Sequence, residues 1–495
     1  MAYSEPVPRP GVPLAVLAGG TAVLFGSLAY GPKSAAGGAV VFLLACALAA
    51  REAASPVVTW PNTIVALALV IWFIPIKLYA LPVSLPFQLE PYRLFLLVLL
   101  FALVVSVATG GKRLGAAGHG KPVIVLAVVA LATTIVNFSD VADASGETPL
   151  KPLSYFLGFL IVFVLVCSTI DRLQDVEKLV RVLVLGGAVV ALAALFESRT
   201  GTNVFDSLDR FLPLQKEERE LVKVRGAQLR VFASAQHPIA LGCALVLTLP
   251  LALYLAEQAV TKAKTRFWLL AAVVSAAGAV ATISRTTVVM LVVMSLLAVG
   301  LRGARIARYW PVVLLFPFVV HFVAPGALGT LYNSFFPETG LIGDLTERAG
   351  EGGSGRFADL SPGLDAWARE PLVGRGLGSV ITTGDDLTRL GVAPPTEIIF
   401  DNQYVATLVT TGVLGLAGVI WFVWGSVAKV AGVARRTIGG SGDLLAACSV
   451  SCAGFGAAMF FFDAFAFVQA TLVFVFIAAL GLRVREQRRQ GTITT

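Results

Sequence analysis

The chain alternates long apolar runs with short polar breaks. The runs are about 20 residues long, the length of helix that crosses roughly 30 Å of hydrocarbon. They lack the period-two alternation of barrel strands. In lipid the backbone must satisfy its own polar groups, so the runs are read as helices. About fourteen spans (12–14) are expected, at 13–30, 35–50, 62–80, 91–109, 122–138, 152–169, 179–196, 237–256, 267–283, 286–301, 309–324, 402–424, 444–462 and 464–482. The fold class is therefore an all-α polytopic membrane protein.

Two polar segments interrupt the series. The expected order is N-terminal transmembrane helices in 1–196, a first loop in 197–236 and central transmembrane helices in 237–324. A long loop follows in 325–400, C-terminal transmembrane helices in 401–482, and a basic tail in 483–495. The first loop carries dense mixed charge and suits a solvated, partly helical cap. The long loop holds a glycine-rich hinge at 350–355 and then an amphipathic helix, with Phe357, Leu360, Leu364 and Trp367 recurring at three and four residues. Such a helix fits a membrane surface, apolar face down, or a small packed loop. Residues 267–301 are too long for one span: 35 residues of helix at 1.5 Å each would run roughly 50 Å. The chain must turn near their middle, at TISRTT, which puts Ser284 and Arg285 at the ends of two helices.

Composition agrees with the pattern: 57% of the 495 residues are hydrophobic and 14% charged, more apolar surface than a soluble chain of this size could cover. The net charge of +8 reports topology rather than nucleic acid. One alternating set of connections holds Arg51, Lys112, Arg113, Lys121, Arg172, Lys178, Arg181, Lys262, Lys264, Arg266, Arg302, Arg305, Arg308, Lys429, Arg435, Arg436 and the tail arginines. The short connections of the other set hold little beyond Lys33, Lys77, Arg93, Lys151 and Arg285. The positive-inside rule places the first set and both termini in the cytoplasm, and both long loops outside. Cys448 and Cys452 share a helix face, but no His or carboxylate stands at ligand spacing, so they are read as small core residues and no metal site is assigned.

The polar chemistry gathers at the outer ends. Arg225 and Arg230 precede one span, Arg285 lies in the tight turn, and Arg356 follows Ser-Gly in the long loop. A permanently charged planar fork suits a diphosphate bidentately. An arginine near the membrane boundary is costly unless it reaches water or an anion; snorkelling to headgroups is the alternative.

RVFASAQHPIALG (230–242), TISRT (282–286), SGR with a following Trp and PLVGRGLG (371–378), and DNQYVATLVTTGVLG (401–415) resemble, in order and spacing, the O-antigen ligase and polymerase superfamily. The resemblance spans roughly residues 225 to 420. It implies a GT-C-like, inverting, metal-independent glycosyltransferase of a bacterial cytoplasmic (inner) membrane, working at the extracytoplasmic face without a cofactor. Its donor would be an undecaprenyl-diphosphate-linked oligosaccharide, and its acceptor a second glycan or a lipid. Membrane lipids would surround it, and proteins of a polysaccharide export pathway are expected partners. In that picture Arg285 and Arg356 hold the diphosphate, with Arg230 or Arg225 assisting. Where the lipopolysaccharide ligases carry a His, this chain has Asp401 followed by Asn402, which favours polymerase-like members. Asp401 is a candidate general base, or else Asp-Asn is simply a helix N-cap. His237 either contacts phosphate or acceptor, or caps its span. Asp463 reads as a turn residue. The competing class is an exporter of lipid-linked sugars, but paired broken helices in matching halves and charge along a central path are not seen.

Overall fold

The computed structural model describes residues 59–82, 89–145, 149–217, 224–225, 228–303, 317–322, 324–335, 360–379 and 402–491. The expected spans at 13–30 and 35–50, most of 309–324, the hinge at 350–355, Arg356 and Asp401 lie outside the described residues. Those that are described fold almost entirely as helix: α1 Trp60–Phe73, α2 Pro91–Ala108, α3 Gly120–Val136, α4 Phe138–Ser145, α5 Leu150–Thr169, α6 Leu173–Thr200, α7 Pro238–Glu257, α8 Lys262–Ala281, α9 Arg285–Arg302, α10 Ala327–Phe335, α11 Leu360–Arg369, α12 Gln403–Ala434, α13 Gly440–Ala458 and α14 Val468–Arg489. Eight of these (α2, α5, α6, α7, α8, α9, α12 and α14) are long and apolar enough to cross a membrane, and α1 and α3 are shorter apolar helices. The protein is a multi-pass membrane protein.

The centre of the bundle is α14, which is almost wholly buried and packs against α5, α13, α7 and α12. Its lining is aromatic: Phe474 stacks on Phe455 at 4.2 Å, and Phe422 and Phe163 meet edge to face at 5.1 Å. The chain turns between α8 and α9 at Thr282–Ser284, as the length of the apolar run demands.

One expectation is corrected. The run at 62–80 is not one helix. It ends at Phe73, because Pro75 forces Ile74 into an extended backbone, φ −107°, ψ 109°. The chain beyond it forms β1, Tyr79–Ala80, which pairs antiparallel with β2, Gln215–Lys216, so the 197–236 segment is anchored to the bundle. The Tyr79 hydroxyl also donates to the Phe205 carbonyl at 2.8 Å and accepts from the Leu208 N–H. At the other end of the chain, α14 continues past residue 482 into the basic tail, to Arg489, with Arg485 buried. The amphipathic helix α11 takes the packed one of its two readings. Its Ala366 and Trp367 pack on Val405, Ala406 and Val409 of α12.

At the end of the bundle opposite to Arg285, basic side chains tie helices together. Arg302 pairs with Asp443 at 2.8 Å and donates to the Ala434 carbonyl, and Asp171 takes both Lys112 and Arg483. His119, fully buried ahead of α3, places Nε2 at 3.0 Å from the Phe422 carbonyl and Nδ1 at 2.9 Å from the Lys429 ammonium. Burial pushes its pKa down to about 4 although the carbonyl opposes this, so it stays neutral and can accept from the lysine.

α12 breaks at Gly412, whose φ of 65° and ψ of −169° belong to glycine alone. The break would strand the carbonyls of Val409 and Thr410 and the N–H of Val413. The segment 371–376 satisfies all three: Arg375 N–H donates to Val409 O at 2.9 Å, Gly376 N–H to Thr410 O at 3.0 Å, and Val413 N–H to Pro371 O at 2.9 Å. Close approach requires the glycines. A Cβ on Gly412 would lie 2.2 Å from Leu372 O, and one on Gly374 2.6 Å from Gly412 N. Gly412→Ala combines backbone strain with that clash and is expected to cost about 3 kcal/mol. A thermal midpoint within one degree of wild type in detergent would contradict this account of the break.

Candidate functional site

The described residues of the 230–242, 282–286 and 402–403 stretches meet at one end of the bundle through side chains that satisfy turn backbone. Residues 230–237 run across the end of α6 and into α7. Glu197, in the last turn of α6, is buried and accepts the N–H groups of Ala233 at 2.8 Å and Phe232 at 3.3 Å. Asn203 donates to Ala233 O at 2.8 Å. Ala233 itself has a φ of 43°, unusual for a residue with a Cβ.

The facing turn repeats this feature. Ile283, buried between α8 and α9, has a φ of 50°, a strained conformation for a β-branched side chain. The turn places Ser284 as the N-cap residue of α9 and Arg285 as its first residue, half-buried. Arg230, nine-tenths buried, joins the two motifs by donating from Nε to the Thr282 carbonyl at 3.1 Å. Gly242 permits the close packing below. A Cβ there would lie 2.4 Å from Thr287 Oγ1 and 2.8 Å from Thr282 Oγ1.

The turn between α13 and α14 completes this end. Gln236 Oε1 accepts from Val468 N–H at 2.9 Å, and Gln469 Nε2 donates to Ser234 Oγ at 3.1 Å and to Ile71 O at 2.9 Å. His237 caps α7, Nδ1 accepting from Ile239 N–H at 3.2 Å, and its ring stacks on Phe467 at 5.2 Å. Across the same turn, Gln403 donates its N–H to Met459 O at 2.8 Å and accepts from Phe465 N–H at 2.6 Å. Asp463 is buried in this turn.

Asn402 is the N-cap of α12, Oδ1 accepting from Tyr404 N–H at 3.0 Å and Val405 N–H at 3.3 Å. The capping role open to the Asp-Asn pair therefore falls to the asparagine. Arg225 lies in β3, Val224–Arg225, which pairs with β4, Gln228–Leu229; its side chain lies outside the described residues. Arg230 and His237 on one segment, Arg285 on a second and Asn402 on a third are thus linked, directly or through the α13–α14 turn. Sequence reading missed Glu197, Gln236, Gln403 and Gln469. Their signal was available: each is a lone acid or amide in or beside an apolar run, where it must find a buried partner.

Two positive helix ends, α9 at Arg285 and α12 at Asn402, open on this region, and the buried Arg230 adds a full positive charge. That arrangement suits a negatively charged group.

Gly242→Ala is expected to push the 282–287 turn away from α7 and lower the thermal midpoint. Thr287→Ala, which removes the nearest atom, should recover part of the loss in the double variant. Strictly additive effects would refute that contact.

Residues 270–420 match the family model described as O-antigen ligase. No curated protein matches the chain. The matched region holds the 282–287 turn, the 371–378 segment and the first part of α12. Arg230 and His237 precede it in sequence but pack onto its side of the bundle.

Proposed function

We propose that this chain, whose residues 270–420 are those of the O-antigen ligase family, is an inverting membrane glycosyltransferase acting on a polyprenyl-diphosphate-linked glycan. The observation that carries the reading is the junction of Arg230 with the Thr282–Arg285 turn. It gathers two arginines and a helix N-terminus at one end of an apolar bundle. The charge distribution of the loops supports placing this end at the outer face of a bacterial cytoplasmic membrane.

The chemistry needed is displacement at an anomeric carbon. The acceptor oxygen forms the new C–O bond as the bond from the anomeric carbon to the diphosphate oxygen breaks. The bonding pair leaves on the diphosphate, and the acceptor proton passes to a base. Arg285 and Arg356, assisted by Arg230 or Arg225, stabilise the developing diphosphate charge. The effect is large where water is excluded. Asp401 takes the acceptor proton. Asn402 marks the start of α12, and a helix N-terminus favours an ionised carboxylate. Arginines provide the positive charge, so the reaction is expected to run without a metal. The carboxylate in place of His favours chain extension, with a second lipid-linked glycan as acceptor.

Purified full-length protein in detergent with EDTA, given extracted lipid-linked oligosaccharides, should yield a ladder of longer lipid-linked glycans. Transfer only to an added lipid acceptor would make it a ligase. Lipid-linked sugar scrambled across vesicles with no transfer would overturn the transferase reading in favour of an exporter. Arg285→Ala and Arg356→Ala should each lower turnover by about 100-fold or more at normal insertion. Asp401→Asn should cost a comparable factor and Asp401→Glu much less. Near-wild-type turnover in Asp401→Asn would remove the base.

A further inference from the structure

The segment that seals the break in α12 also carries a cation that the proposed chemistry does not use. Arg375 stands between Gly374 and Gly376, whose φ values are 72° and 100°. Its own N–H is held by Val409 O, and the next N–H by Thr410 O. On the other side, Asn137 at the end of α3 donates from Nδ2 to Gly374 O at 3.0 Å. A Cβ on Gly376 would lie 2.8 Å from Val141 and 2.9 Å from Asn137, and one on Gly378 2.9 Å from Pro152. The peptide of Arg375 is thus clamped between α12, the α3–α4 corner and the start of α5.

The side chain is not spent on that clamp. The Arg375 residue is half-buried, and among the described residues its guanidinium makes no hydrogen bond and no ion pair. Three basic residues at the other end of the bundle are compensated: Arg302, Arg483 and Lys112 each have a carboxylate. An always-charged fork that is partly withdrawn from water, carried on a clamped backbone and not compensated favours an anion. Its level narrows the choice. Its segment meets Asn137, the C-cap of α3, and, through Gly378, Pro152 in the first turn of α5; these are ends of apolar helices, the level expected for lipid phosphates. Val409 is seven residues past Asn402, roughly 10 Å along α12, so Arg375 lies apart from the Asn402 end.

We infer that Arg375 is an anion-binding residue for a phosphate group carried by a membrane-anchored ligand. The ligand is either the diphosphate of the lipid-linked substrate or the phosphate of a bilayer lipid. The first source rests on the transferase reading above; the second does not. The backbone clamp fixes the point from which the guanidinium projects, and the two oxygens of a phosphate match its paired N–H groups.

The test uses full-length protein in phosphatidylcholine nanodiscs, with farnesyl diphosphate and phosphatidylglycerol titrated separately and binding followed by native mass spectrometry. Arg375→Gln should weaken at least one probe about tenfold, with a smaller difference at high salt. Its thermal midpoint should stay at the wild-type value, because the clamp uses the backbone N–H. Loss of farnesyl diphosphate alone assigns the substrate, and loss of phosphatidylglycerol alone assigns the bilayer lipid; both support the site. Unchanged affinity for both probes overturns it, as does a lowered midpoint with unchanged affinities. Should Arg375→Gln not fold, Arg375→Lys decides: weaker binding by at least about threefold supports the fork, and equal affinity refutes it. Binding needs no turnover. A wild type that binds through Arg375 but builds no glycan refutes only the transferase reading. One that builds glycan while Arg375→Gln binds normally refutes only this inference.

Discussion

The structure depends on one constraint: a chain that turns or breaks inside an apolar bundle must find partners there for its backbone N–H and C=O groups. The helices satisfy themselves. The places that do not are the α8–α9 turn, the α13–α14 turn, the approach to α7 and the break at Gly412. Each is closed by groups from another part of the chain: Arg230 on Thr282 O, Gln403 on the 459–465 turn, Glu197 on the 232–233 peptides, and the 371–376 backbone on α12.

The same requirement builds the site. Amides and charges that satisfy turns must sit where the turns are, at one end of the bundle, and they bring separate sequence motifs into contact. Arg230 is the clearest case. Its Nε meets a carbonyl three residues before Arg285, so the residue that stabilises the turn also places positive charge beside it. Ala233 and Ile283, in these two facing segments, have the positive φ that among the described non-glycine residues is shared by Lys77 and Ala117. Strain of this kind, of order 1–3 kcal/mol per residue, persists where the surroundings over-determine it, and such places are often functional.

The Gly412 break shows the reverse dependence. Residues 371–376 of the long loop substitute for helical hydrogen bonds, so this stretch is locked to α12 rather than left to a membrane surface. This explains why α11 packs on Val405 and Val409 although its amphipathic pattern alone would equally suit lipid. It also holds Arg375 at a fixed level.

Much was determined by the sequence alone. Apolar runs of span length dictate helices, since nothing else satisfies a backbone in hydrocarbon. The length of 267–301 dictates the turn at Thr282–Ser284. The motif order points to the family that residues 270–420 match. Pro75 also announces the early end of α1, a local signal masked by the continuous hydrophobicity around it. Other features were decided only by tertiary structure. The choice of Asn402 over Asp401 as the cap depends on where α12 begins. The roles of Glu197, Gln236, Gln403 and Gln469 depend on which distant turn each meets. The break at Gly412 exists because a segment some 35 residues upstream supplies its missing hydrogen bonds. Local pattern fixes which segments become helix, because that is settled within a few residues. Which polar group satisfies which stranded peptide is a matter of long-range packing, and no periodicity in the chain encodes it.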